Sequence, residues 1–214
     1  MAKSFPKIYP ILDSSVIPTA GRTEFLHRLG TSLTEAGVTL LEYRNKGAGD
    51  SELLADADIL RRVMPAGQVK LILDDRADLV VPAGFDGVHV DAGDVSPAEA
   101  RRLVGTERIV GTFGGSEFLL PGILDQPADY LSIGPVFTTT TKHTDKRPIG
   151  IEGVRRIREQ AGPGAMLVAA AGIGLDTALL VLEAGANTVA VAAAIFTRPN
   201  PAEEFRRWLE IIGS

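Results

Sequence analysis

The feature that most constrains this chain is an alternation repeated eight times along it. A short apolar run rich in β-branched residues is followed each time by a stretch whose apolar positions recur at helical spacing. The runs are Ile8–Asp13, Thr39–Arg44, Lys70–Asp75, Gly87–Asp91, Arg108–Phe113, Tyr130–Val136, Met166–Gly172 and Val189–Ile195. The helical stretches between them are Thr23–Ala36, Ser51–Val63, Arg76–Val81, Pro97–Leu103, Ser116–Leu124, Ile151–Gln160, Asp176–Glu183 and Pro201–Ile212. Asp50-Ser51, Ser96-Pro97 and Asp176-Thr177 carry start signals for three of these helices. Gly37 and Gly185, each after an acid and an alanine, are placed as C-terminal caps just before the next strand.

Eight such units in 214 residues leave roughly 27 residues for each, close to the minimum for a strand–helix–strand crossover. The runs at Met166 and Val189 are apolar throughout, as strands covered on both faces must be. The expected fold is therefore α/β, a parallel (β/α)8 TIM barrel near the short end of its length range. An open flavodoxin-like sheet would leave the last three units unexplained. The 23 glycines and 6% aromatic content suit tight strand–helix junctions around small aliphatics. No linker, charge block or low-complexity stretch divides the chain, so one domain over residues 1–214 is expected.

Composition narrows the function. A formal net charge of −5 argues against a nucleic-acid footprint or a polybasic membrane patch. The absence of cysteine removes disulfides, thiolate nucleophiles and cysteine-held zinc or iron–sulfur centres. No segment reaches the roughly 18 apolar residues of a membrane helix, and the N-terminal stretch lacks a small-residue cleavage site. A cytoplasmic protein acting on small molecules is expected, with a homodimer through the barrel helices as an option.

In a barrel of this kind the C-terminal strand ends build the site. Here they offer Asp13, Glu42, Arg44, Lys46, Asp74, Asp75, Arg76, Asp91, Asp94, Phe113, Thr138 to Lys142, Ala171 to Ile173, and Ala193-Ala194. Alternation puts Glu42, Arg44 and Lys46 on one side and Tyr43 on the other. Two cations so spaced can hold an anion, or Glu42 and Arg44 can pair across the top of the barrel. Asp75 and Asp94 close neighbouring strands and can share a divalent ion with water and phosphate oxygens, as Mg²⁺ prefers. Either can instead cap the helix that follows it. The threonine- and lysine-rich loop can donate to phosphate, act as a lid, or be inert. Small residues ending the seventh and eighth strands suit a phosphate held by backbone N–H groups, or are packing spacers. Among the singletons, His89 reads as a core histidine, His143 as a solvated one and Trp208 as packing.

In order, these segments resemble the thiamine-phosphate synthase family and its TenI-type tautomerase relatives, over nearly the whole chain. The pieces that carry the resemblance are Arg44-x-Lys46, Asp75-Arg76-x-Asp78-Leu79, Asp86-Gly87-Val88-His89-Val90 with Asp94, the run Gly134-Pro-Val-Phe-x-Thr-x-Thr-Lys142, and Ala171-Gly172-Ile173. The resemblance implies joining 4-amino-2-methyl-5-hydroxymethylpyrimidine diphosphate to a thiazole phosphate, carboxylated or not, with release of pyrophosphate. By the same resemblance Arg44, Lys46 and Lys142 hold the diphosphate, and Asp75 and Asp94 bind Mg²⁺. Thr139 and Thr141 touch the phosphates, and the backbone at Gly172, Ala193 and Ala194 cradles the thiazole phosphate.

Five positions depart from the family pattern. Glu42 stands for a glutamine, Asp74 for an asparagine, Ala171 for a glycine and Ala193 for a serine. Phe113 replaces a fifth-strand serine, losing a hydroxyl and filling volume near the pyrimidine or its diphosphate. These departures keep a non-catalytic thiamine-precursor binder in view beside the synthase. A tautomerase would want a histidine where this chain has Gly115. Unrelated phosphosugar chemistry on the same barrel is the remaining option.

Overall fold

The computed structural model describes residues 5–139 and 146–213. Eight parallel strands close in sequence order into a barrel: β1 Ile8–Asp13, β2 Leu40–Arg44, β3 Lys70–Asp74, β4 Gly87–Val90, β5 Ile109–Gly115, β6 Tyr130–Ile133, β7 Leu167–Ala170 and β8 Thr188–Val191. Hydrogen bonding between β1 and β8 completes the ring, with Tyr9 opposite Ala190. The helices are α1 Arg22–Glu35, α2 Asp50–Val63, α3 Pro97–Val104, α4 Gly150–Ala161, α5 Leu175–Glu183, α6 Ala193–Phe196 and α7 Pro201–Ile212.

Period-two alternation divides the apolar residues into two cores. The outer one lies between strands and helices and holds Leu41, Leu71, Val88, Val110, Leu131, Leu167 and Val189. The inner one fills the lower barrel with Tyr9, Leu40, Ile72, Ile109, Tyr130, Val168 and Ala190. Ser96 caps α3 by accepting from Glu99 N–H, with Pro97 at the first helical position. Gly37 and Gly185 do take positive φ (91° and 113°) after α1 and α5, as the sequence requires.

Three expected elements differ. Ser116–Leu124 is not helical: Leu119 bridges back to Gly115, Leu120 N–H donates to Gly114 O, and only a 3-10 turn at Ile123–Asp125 follows. Arg76–Val81 shortens to a 3-10 turn at Ala77–Leu79. The eighth strand stops at Val191, and Ala193–Phe196 turns into α6. A run of small apolar residues fits a strand or a buried helical turn equally well, and here the chain uses it for both.

Trp208, on the inner face of α7, is fully buried and its indole N–H donates to Glu204, as a packing residue should. Tyr43, on the outer face of β2, donates to Asp56 of α2, and Arg22 of α1 bonds both. This cluster ties two helices to one strand.

Candidate active site

Inward positions change character toward the C-terminal end of the barrel. Leu40 is followed by Glu42 and Arg44 on β2, and Ile72 by Asp74 on β3. His89 and then Asp91 follow Gly87 on β4 and beyond it, and Ser132 follows Tyr130 on β6. Glu42, Arg44, Asp74, His89, Asp91, Tyr130 and Ser132 line a cavity of about 600 Å³ that is rimmed by Phe113, Thr138, Thr139, Lys146 and the β7 and β8 ends. That volume suits a small-molecule ligand.

The floor is a hydrogen-bonded chain. Tyr9 Oη donates to Glu42 Oε2 at 2.9 Å and lies 3.1 Å from Tyr130 Oη, which is 3.0 Å from His89 Nδ1. On its other side His89 Nε2 lies 3.7 Å from Asp91 Oδ1 and 3.5 Å from Ser132 Oγ. His89 is thus the buried, hydrogen-bonded core histidine expected from the sequence, and it also forms part of the cavity wall. Burial raises the Glu42 carboxyl above its ordinary range, against the opposing pull of His89, Tyr9 and Arg44. Burial also lifts Asp74 to about 7, with Glu42 and Asp75 adding repulsion. Burial alone would lower His89, but Asp91, Glu42 and Asp74 together raise it.

Beside the cavity the cations are paired with acids. Arg44 meets Asp13 at 3.3 Å and Asp74 at 3.2 Å, and Lys46 meets Asp75 at 2.6 Å and Asp74 at 3.7 Å. The Glu42–Arg44 pairing considered from the sequence is not among the described ion pairs. Lys46, Asp75 and Asp94 stand next to the cavity lining without forming part of it.

Asp75 sits in the left-handed region (φ 66°), which an aspartate tolerates better than most residues. Its Oδ1 is buried with no hydrogen-bond partner. Asp94 faces it: burial, and then the contact with Asp75, raise the Asp94 carboxyl. Neither acid caps a helix by its side chain. Ser96 caps α3, the turn after Asp75 has no side-chain cap, and Asp94 Oδ2 accepts from Asp91 N–H at 2.8 Å. Two carboxylates turned on each other with an orphaned oxygen fit a divalent cation. No group of three His, Asp or Glu ligands occurs among the described residues. Water and phosphate oxygens would therefore complete the shell, as Mg²⁺ accepts readily.

Gly172 (φ 71°) closes the β7 end against the β6 loop, where a Cβ would stand 2.5 Å from the Thr138 carbonyl oxygen. With Ala193 and Ala194 it leaves one wall of the cavity free of bulky side chains. Thr139 also lines the cavity, on the loop after β6 that packs against Gly172. Thr141 and Lys142 lie outside the described residues. The sequence did not single out Tyr9, Tyr130, Ser132 or Lys146. Alternation within β1 and within β6 puts the first three on inward positions, but it does not say which side chains they meet across the barrel, and Lys146 left no such signal.

A family model described as thiamine monophosphate synthase matches residues 8–195. The chain belongs to the thiamine-phosphate synthase family. It is 37% identical over 209 residues to the thiamine-phosphate synthase of Koribacter versatilis (strain Ellin345), covering 98% of this chain and 97% of that one. The thiamine-phosphate synthase of Agrobacterium fabrum (strain C58 / ATCC 33970) is 34% identical over 197 residues, 91% of this chain and 88% of its own. Among solved structures, the thiamine phosphate pyrophosphorylase of Pyrococcus furiosus superposes with a TM-score of 0.77 at 26% identity, covering 96% and 95% of the two chains. The family's (β/α)8 architecture is the one described above.

Proposed function

We propose that the barrel mouth condenses the aminopyrimidine diphosphate with the thiazole phosphate, giving thiamine phosphate and pyrophosphate. The observation that carries this reading is one arrangement: Arg44 and Lys46 beside the facing carboxylates Asp75 and Asp94, next to a cavity with a hydrogen-bonding floor.

The pyrimidine sits on the floor, with the Glu42 carboxyl and His89 facing its polar edge. Arg44 and Lys46 take the diphosphate, exchanging part of their contact with Asp13, Asp74 and Asp75 for phosphate oxygens. Thr139, Thr141 and Lys142 complete that hold from the loop after β6. The thiazole phosphate lies against Gly172, Ala193 and Ala194, where absent side chains make room. Asp75 and Asp94 would hold Mg²⁺, which when bound offsets the negative charge growing on pyrophosphate.

The bond between the pyrimidine methylene and the diphosphate oxygen breaks, and pyrophosphate leaves with the electron pair. The thiazole nitrogen supplies the pair for the new C–N bond. No proton has to be abstracted, so positioning and charge stabilisation suffice, and the lack of a thiol or catalytic triad is no obstacle. The acidic mouth also makes sense beside a cation, since carboxylates alone would repel a diphosphate.

Incubating the protein with both substrates, in Mg²⁺ and in EDTA, tests this. Thiamine phosphate and pyrophosphate should form in Mg²⁺ only. Absence of product from folded protein that still binds either substrate would overturn the assignment of a synthase.

A further inference from the structure

Phe113 and Lys146 come from different parts of the chain, yet the lysine ammonium lies 3.6 Å from the centroid of the phenylalanine ring. Both residues line the cavity. That separation is well inside the range at which a ring quadrupole holds a cation, and such a contact leaves the formal charge intact.

Two local features fix the pair. The pairing of β5 with β6 shifts register between Phe113 and Gly115, so one extra residue is accommodated there. A bulge of this kind re-aims a side chain at the edge of a site. Lys146 lies shortly before a backbone anchored to the β6 extension, where Ile149 N–H donates to Pro135 O and Gly150 N–H to Val136 O, each at 2.9 Å. The ring of Phe113 stands three strands round the barrel from Arg44 on β2, so Lys146 faces the mouth from a different side than the Arg44–Lys46 pair.

We propose that Lys146, seated on Phe113, holds the diphosphate from the β5 side, at the position where the family resemblance expects a serine and this chain has the phenylalanine. The proposal rests on the synthase reading above. It makes Phe113 a positioning residue acting through Lys146, and the family departure at Phe113 becomes half of a compensated pair.

The test uses Lys146→Met, Lys146→Arg and Phe113→Leu in the full chain, with inorganic pyrophosphate as the binding probe and steady-state kinetics in both substrates. Lys146→Met should weaken pyrophosphate binding about tenfold, the loss expected for one charge-assisted hydrogen bond. It should raise KM for the pyrimidine diphosphate alike and leave KM for thiazole phosphate unmoved. Lys146→Arg should restore most of the affinity. Phe113→Leu should move the same two constants in the same direction and add nothing when Lys146 is already methionine. Unchanged pyrophosphate affinity in Lys146→Met, or an effect confined to thiazole phosphate, overturns the pair. Pyrophosphate titration needs no turnover. A wild type that forms no thiamine phosphate while Lys146→Met loses pyrophosphate affinity defeats the synthase reading and leaves the pair standing. Normal turnover with unaffected titration does the reverse.

Discussion

The ring of Tyr130 fills the space directly above Gly111, so that a Cβ on Gly111 would overlap the phenol carbon and its hydroxyl. The glycine is thus what admits a tyrosine to the barrel axis, where its hydroxyl joins Tyr9 to His89. Gly111→Ala should displace the ring and cost about 1–3 kcal/mol, the usual penalty for forcing volume into a packed core. Urea unfolding of the two proteins checks it. Equal midpoints would mean that the ring has another place to go.

Glu42 provides a pH-dependent comparison. Its carboxyl is raised by burial, with Asp91 adding to the rise and His89, Tyr9 and Arg44 opposing it. A folded-state value above the unfolded one means that the folded chain binds more protons between the two values, so stability falls as pH rises through that window. Glu42→Gln cannot ionise. Relative to wild type it should therefore gain stability as pH climbs above the ordinary carboxylate value of about 4.5. Melting temperatures from pH 4 to 8 test this, and a difference that stays flat or narrows with pH contradicts the burial account.

The facing acids call for isosteric replacements, because Asp75 occupies a backbone region that asparagine also tolerates. Asp75→Asn and Asp94→Asn should each lower Mg²⁺-dependent turnover by roughly 100-fold, as expected where charge stabilisation of the leaving group is weakened. The melting temperature should stay close to wild type, since the two carboxylates repel each other. Retained turnover in either variant would remove that residue from the metal assignment.

Away from the mouth, Asp56 is only 2% exposed and accepts from Arg22 and Tyr43. Asp56→Asn removes the buried anion that Arg22 and Tyr43 share at the joint between α1, α2 and β2, leaving the guanidinium, among the described acids, only the exposed Glu52 at 3.4 Å. A loss of about 3 kcal/mol is expected, which for a chain of this length lowers the melting temperature by about 6–12 °C. Thermal unfolding with turnover measured in parallel separates this structural effect from any change at the site.

Much of the barrel was legible in the sequence because each strand carries its own signal. β1 and α7 fall on the expected residues, and the remaining strands differ only at their ends. What failed was local in origin. Ser116–Leu124 has helical spacing, but Gly114-Gly115 before it and Pro121-Gly122 inside it favour a folded-back turn, and Gly115 pairs with Leu119 instead. In the site, Glu42, Arg44 and Asp74 could be placed by alternation alone. The partnership of His89 with Tyr130, and of Lys146 with Phe113, depends on how β4, β5 and β6 stack in the closed barrel. Spacing along a single strand carries no information about that.

The hydrogen-bonded floor makes the folding core and the ligand platform the same residues. Aliphatic layers accept swaps of similar volume, whereas removing Tyr9, Tyr130, His89 or Glu42 strands a buried neighbour. Drift in ligand preference at this depth is therefore filtered twice, once by recognition and once by solvency of the polar interior. New specificities in such a barrel should arise through paired replacements, with single steps confined to the rim.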